Sequence, residues 1–288
     1  MVRLAVMGVG RVGGEVAYLA AALRIADELV LYDSAESLLN AQVLDLRHAG
    51  FDVAISTGKS DIRTADICVF AAGFPRNPAV KTRADLLSAN LPAAREAAEI
   101  LRGFGGVFVT ITNPMDVNNY YLHKAAGIPR ERCIGFGGQL DSARFALALR
   151  QRGFTGFPYV LGEHGEHQVP VFSTLSKPVP VAVREEILAE LRTASMEIIR
   201  GKGGTVFGPA MHIADLIRII AEDRHELVAC SCILSGEYGF SRCSLGVPAR
   251  VGRDGIEKIE EWQLDQWETG MMNGAGRFVE SLCRTVDP

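Results

Sequence analysis

None of the six cysteines (Cys68, Cys133, Cys230, Cys232, Cys243 and Cys283) stands in a C-x-x-C pair. That argues against a zinc ribbon or a thioredoxin-like redox centre, and reduced thiols in or near a core are expected. No stretch approaches the ~20 consecutive apolar residues of a membrane-spanning helix. The apolar start, Met1 to Met7, runs straight into glycines and is too short for the core of a signal peptide, so a cytoplasmic location is expected. There is no excess of basic residues: the formal net charge is −4. Neither nucleic acid nor an anionic membrane is therefore an expected partner. Internal repeats and low-complexity segments are absent too. What remains is ordinary for a globular chain with a substantial core: 288 residues, 48% hydrophobic and 22% charged. Such a length suits one large or two moderate domains.

The first half alternates short β-branched runs with helical patterns. Strands are expected at Val2–Met7, Leu29–Tyr32, Asp52–Ser56, Ile67–Ala71 and Val107–Thr112, and helices at Glu15–Leu23, Ala35–His48 and Ala84–Leu101. Alternation of this kind signals a parallel sheet with crossover helices, and strands apolar nearly throughout signal cover on both faces. After about residue 140 the rhythm changes. Helices are expected at Ser142–Gln151, Arg184–Arg200, Pro209–Ala221 and Leu264–Cys283, with paired strands at Glu226–Ser235 and Arg242–Val251. The reading is α/β: a doubly wound parallel sheet over residues 1–140, then an α+β substrate domain over 141–288.

Gly8-Val9-Gly10-Arg11-Val12-Gly13 fits G-x-G-x-x-G, directly after a strand and at the opening of a helix. The first glycine permits the tight turn, the second lets a pyrophosphate approach the backbone, and the third lets helix and strand pack closely. The helix N-terminus then faces phosphate charge. Asp33 ends the second strand, twenty residues past Gly13, where a carboxylate can bind ribose hydroxyls. These features together mark a Rossmann-type dinucleotide site, with NAD expected because Asp33 disfavours a 2′-phosphate.

Further polar segments follow in order: Gly73-Phe74-Pro75-Arg76-Asn77-Pro78, Thr82-Arg83-Ala84-Asp85-Leu86, Thr112-Asn113-Pro114-Met115-Asp116, Leu140-Asp141-Ser142-Ala143-Arg144 and Gly162-Glu163-His164-Gly165-Glu166-His167. With the glycine fingerprint, and continuing through Gly203-Gly204-Thr205 and Gly236-Glu237-Tyr238-Gly239, this series resembles the lactate/malate dehydrogenase family, and most closely its lactate-dehydrogenase-like malate dehydrogenases. The resemblance runs over nearly the whole chain. It implies a proton donor at His164, its orienting carboxylate at Asp141, and Arg144 on the substrate C1 carboxylate. It also implies Arg83 polarising the reacting carbonyl from a mobile loop, Asn113 contacting substrate and nicotinamide, and Asn90 and Thr112 on the cofactor side. A homodimer or homotetramer, and a place in the tricarboxylic acid cycle, are implied as well.

The chemistry is consistent with those residue types. Reduction of a 2-oxo acid requires a proton from a group titrating near working pH, and an unperturbed imidazole titrates at ~6.5. A guanidinium grips a carboxylate with two parallel bonds, which an ammonium cannot. Taken alone, Asp141 and Arg144 would read as a surface ion pair on one helix. His48, His123, His212 and His225 read as structural. His164 and His167 suggest no metal, since no third ligand cluster accompanies them.

Within the family, arginine at position 76 marks the malate type, because the distal carboxylate of oxaloacetate requires a cation that the methyl of pyruvate does not. L-lactate or another 2-hydroxy acid is the alternative. Two departures stand out. Ala79-Val80-Lys81 replaces a Gly-Met pair, so the loop between Arg76 and Arg83 is one residue longer than usual, and Glu166-His167 replaces an Asp-Ser or Asp-Thr pair.

Overall fold

The computed structural model describes residues 1–74 and 83–287, and of residues 83 and 84 the backbone only. In chain order the elements are β1 (Arg3–Met7), α1 (Arg11–Ala22), β2 (Glu28–Tyr32), α2 (Glu36–His48), β3 (Ala54–Ser56), β4 (Ile67–Phe70), α3 (Arg83–Ile100), β5 (Val107–Thr110), α4 (Met115–Ala126) and β6 (Cys133–Gly135). Then come α5 (Gly138–Gln151), β7 (Tyr159–Gly162), β8 (Gln168–Val171), α6 (Val181–Lys202), α7 (Phe207–Ala221), β9 (Glu226–Ser235), β10 (Ser241–Gly252), β11 (Gly255–Ile259) and α8 (Gln266–Cys283).

Among the described residues, one sheet of eleven strands runs β3-β2-β1-β4-β5-β6-β9-β10-β7-β8, with β11 beside β10. The first six are parallel, and β4, β5 and the inner residues of β1 are buried. Their order reverses between β1 and β4, the switch point at which an open α/β sheet forms a ligand crevice beyond its carboxyl ends. Gly8, Asp33, Ala71 to Gly73 and Thr112 to Asn113 all stand just past those ends. From β6 onward pairing is antiparallel, beginning with Ile134 against Cys232 and Gly135 against Ser231. The expected α/β and α+β halves are therefore both present, joined through one ladder. The expected division between residues 140 and 141 falls inside α5.

The elements of the parallel half lie close to their expected places. Helix α1 begins earlier than expected, at Arg11, because the glycine turn leads directly into it. Helix α4 is a correction: residues 115–126 had no helical reading. Its periodicity is hidden because nearly every face is buried, including Asp116, Asn118 and Asn119, so no polar stripe marks the solvent side. Strands β6, β7 and β8 have three or four residues each, too few for alternation to register. All six cysteines are buried and free. No single helix among the described residues is long and apolar enough to cross a membrane; the apolar helix α7 packs its isoleucines into the core instead.

A second, smaller core of Phe145, Leu149, Val160, Phe172, Ile187 and Leu191 lies under α5 and α6. Glu268, in the first turn of α8, ties this region together. Its carboxylate accepts the backbone N–H groups of Phe172 (2.7 Å), Ser173 (2.8 Å) and Asp265 (3.0 Å), and the Ser173 hydroxyl (2.7 Å). Asp265 accepts the Glu268 N–H in return, completing a capping box. Glu268→Ala would strand one buried donor, the Phe172 N–H, at ~1–3 kcal/mol, and release three part-buried donors and the helix cap besides. We expect a loss of about 3 kcal/mol or more, read as a lower midpoint in urea unfolding at unchanged slope.

Candidate active site

The glycine turn between β1 and α1 fits a dinucleotide. A Cβ at Gly13 would stand 1.9 Å from the Gly8 carbonyl oxygen, so only glycine lets helix and turn close together. Among the described residues a Cβ at Gly10 would meet nothing within 4 Å, which leaves that face open to a ligand. The α1 N-terminus has no side-chain cap and no acid in its first turn, so its backbone donors suit an anion. Arg11 contributes its backbone there, while its guanidinium crosses to the Gly203 carbonyl (3.1 Å). Asp33 braces the turn, accepting the N–H groups of Val9 and Ala35, each at 2.9 Å. Each carboxylate oxygen keeps a second lone pair for a ribose hydroxyl.

Asn90 of α3 is buried and stitches two loops together. Its Oδ1 accepts the Phe74 N–H (2.6 Å), and its Nδ2 donates to the carbonyls of Asn113 (2.7 Å) and Phe74 (3.3 Å). The Thr112 hydroxyl donates to the Ala72 carbonyl (2.8 Å). These two side chains hold the backbone beside the cofactor crevice. Among the described residues the buried Asn113 Oδ1 has no hydrogen-bond partner, an acceptor that a bound ligand would satisfy.

His164 sits in the turn between β7 and β8. Its Nδ1 lies 2.6 Å from Asp141 Oδ2, and Arg144 Nη1 donates to Asp141 Oδ1 at 2.9 Å. The ion pair expected on one helix does form, but it is not superficial. The Asp141 side chain is 2% exposed, and those of Arg144 and His164 are 17% and 18% exposed. Burial works to raise the Asp141 carboxyl, but His164, Arg144 and Gln168 outweigh it and hold the group below its ordinary range. The structure thus brings Asp141, Arg144 and His164 together on one carboxylate. Arg76 and Lys81, with the lengthened loop, lie outside the described residues, as does the Arg83 side chain; the Arg83 backbone opens α3.

Sequence reasoning overlooked three contributors. Gly137, just before α5, lets that helix come up against the imidazole: a Cβ there would lie 2.5 Å from His164 Cγ. Gln168 at the start of β8 supports Asp141. The Asp116 carboxylate receives the His164 N–H at 2.9 Å. The unusual His167 stacks its ring on Phe278, 4.2 Å between centroids, with Nδ1 3.4 Å from Glu163 Oε2.

Comparison with known proteins points to one family over nearly the whole chain. A family model of the lactate/malate dehydrogenase NAD binding domain matches residues 2–135, and one of the corresponding alpha/beta C-terminal domain matches residues 138–281. The chain is 37% identical to a malate dehydrogenase of Haloferax volcanii over 96% of both sequences. It is 35% identical to an L-lactate dehydrogenase of Geobacillus thermodenitrificans, covering 92% of this chain and 91% of the relative. Its structure resembles that of the malate dehydrogenase from Archaeoglobus fulgidus in complex with NADH, with a TM-score of 0.90 and 30% identity over 99% of this chain and all of the other.

The second and third glycines of the turn, Gly10 and Gly13, give opposite tests of the crevice. Gly13→Ala is expected to unfold or strongly destabilise the protein. Gly10→Ala is expected to keep its stability within about 1 kcal/mol, yet to bind NADH at least about tenfold more weakly. Thermal melts and fluorescence titration with NADH check both.

Proposed function

Since the chain belongs to the lactate/malate dehydrogenase family, we propose that it is a malate dehydrogenase, interconverting malate and oxaloacetate with NAD(H). At the coarser level it is an NAD-dependent 2-hydroxyacid dehydrogenase of that family. The observation that carries the mechanism is the Asp141 carboxylate shared between His164 Nδ1 and Arg144. The malate assignment is supported by Arg76 in the sequence and by the names of the relatives.

The bound nicotinamide supplies a hydride in reduction and accepts one in oxidation. In reduction, His164 Nε2 gives its proton to the substrate oxygen. Its Nδ1–H stays directed at Asp141, which fixes the tautomer and stabilises the imidazolium before transfer. Asp141 does this as the anion, the state its depressed pKa favours. Arg144 commits one nitrogen to Asp141, and a guanidinium's remaining N–H donors suffice for the substrate C1 carboxylate. Anchoring acid and carboxylate grip on one group fixes the distance between the two ends of the substrate they address. Asn113 would contact substrate and nicotinamide, its Oδ1 accepting from a donor such as the nicotinamide carboxamide. Arg83 polarises the carbonyl and Arg76 pairs with the distal carboxylate; sequence position supports both roles. The assembly proposed is a homodimer or homotetramer.

His164 and Asp141 are expected to act as a unit. His164→Ala alone and together with Asp141→Asn should lose similar kcat, with NADH binding kept; near-normal oxaloacetate reduction by His164→Ala refutes the assignment.

Steady-state rates with NADH on oxaloacetate against pyruvate test the substrate. Oxaloacetate should be preferred, and a preference for pyruvate would give the lactate reading instead. Removing one member of a buried charge pair costs ~3–5 kcal/mol. Arg76→Gln should therefore lower kcat/KM for oxaloacetate by roughly two to three and a half orders of magnitude and leave pyruvate little changed. If the ratio survives Arg76→Gln but collapses in Lys81→Ala, the lengthened loop has moved that role to Lys81.

A further inference from the structure

Asp116 stands in the first turn of α4, three residues beyond Asn113, and is 2% exposed. Its Oδ2 accepts the His164 backbone N–H (2.9 Å), and its Oδ1 accepts the Ser231 hydroxyl (2.6 Å). A buried chain continues from there. The Ser231 and Ser244 hydroxyls are 2.8 Å apart, Asn119 Nδ2 donates to Ser244 Oγ at 2.9 Å, and Thr110 Oγ1 donates to Asn119 Oδ1 at 2.9 Å. Thr110 ends β5, the strand that delivers Asn113. Hydrogen bonds therefore run unbroken from the end of that strand, through α4 and the β9–β10 pair, to the backbone of the imidazole-bearing turn.

The groups facing Asp116 come from every side. Glu163 and His164 belong to the β7–β8 turn, Ser231 to β9, Cys243 to β10 and Cys283 to α8. Asp141 of α5 lines the same small pocket as Asp116. Among the described residues no lysine or arginine forms an ion pair with Asp116. Burial first, and then the negative field of Glu163, push its carboxyl up to about 6, against the bonds from Ser231 and the His164 N–H and the attraction of the imidazole. A carboxyl raised by folding contributes stability that is fully present below its ordinary range and lost as pH rises through about 6. Ionisation of Asp116 at neutral pH therefore runs against its burial, and the hydrogen bonds from Ser231 and the His164 N–H are what favour the charged form.

We propose that Asp116 is a positioning residue for proton transfer: its carboxylate latches the His164 backbone to the turn carrying Asn113, and its charge favours the protonated imidazole. The inference rests on reading His164 as the proton donor. Asp116 works through His164: its side chain is buried and holds the His164 backbone N–H.

Three variants of the full-length protein test the latch: Asp116→Ala, Asp116→Asn and Ser231→Ala. Each is assayed for oxaloacetate reduction and malate oxidation over a pH series, for NADH binding by fluorescence, and for thermal midpoint at mildly alkaline pH. Asp116→Ala loses acceptor and charge, and its kcat should fall about tenfold to a hundredfold with NADH affinity retained. Asp116→Asn keeps an oxygen for the His164 N–H, so its kcat should fall less. Its imidazole-governed limb should move to lower pH in both directions of reaction, and its thermal midpoint should equal or exceed that of the parent. Ser231→Ala removes only the hydroxyl behind the carboxylate and should lower kcat about threefold to tenfold; it serves as the positional test if Asp116→Ala does not fold. Parent-like kcat in Asp116→Ala, or in Ser231→Ala where the former is insoluble, overturns the latch. A pH limb in Asp116→Asn that coincides with the parent's overturns the role of charge. A parent enzyme that reduces no 2-oxo acid overturns the underlying reading and this inference with it, whereas an active parent with indifferent Asp116 variants overturns this inference alone.

Discussion

Both oxygens of the Asp141 carboxylate are engaged, one by an imidazole at 2.6 Å and the other by a guanidinium at 2.9 Å. A buried anion without partners would be costly, and a buried imidazolium or guanidinium without one equally so. Placed together, the three groups offset one another's desolvation, and each restricts where the others can stand. The helix brings Asp141 and Arg144 three residues apart on one face, and the close approach at Gly137 brings that face to the His164 ring. In the proposed enzyme, proton donor and carboxylate grip share a single fixed point. A change in that carboxylate would disturb both functions at once.

The parallel half of the fold was legible because its physics is local. Strands covered on both faces are apolar throughout, and a glycine turn leading into a helix has few alternative uses. Asp33 lay at a fixed distance beyond that turn, and the structure binds it back to Val9 and Ala35. Helix α4 was not legible, since amphipathicity is the signal of a half-exposed helix and α4 has almost no exposed side. The strands around His164 were too short to show a period. Of the candidate site, Asp141, Arg144 and His164 could be named from motifs, but the depth of their burial could not.

Asp116 illustrates the remaining gap. It sat in plain view within Asn113-Pro114-Met115-Asp116, yet its partners are His164, 48 positions away, and Ser231, 115 positions away. No local pattern marks a carboxylate whose hydrogen bonds close over such separations. Asn90 was recognised by its position, but that its amide holds the backbone of Phe74 and Asn113 emerges only when the loops are seen together. Side chains that hold other residues in place, rather than touching a ligand, are the class that sequence reading most easily passes over.

The antiparallel seam between β6 and β9 has a mechanical consequence. Many two-domain enzymes close like a jaw, rotating about a few linker residues. Here the cofactor half and the substrate half share backbone hydrogen bonds at Ile134–Cys232 and Gly135–Ser231, and the buried chain through Ser231, Ser244 and Asn119 crosses the same seam. A jaw motion would have to tear that ladder and strand its polar groups away from water. The two halves are better regarded as one anvil, held as a single piece by that ladder.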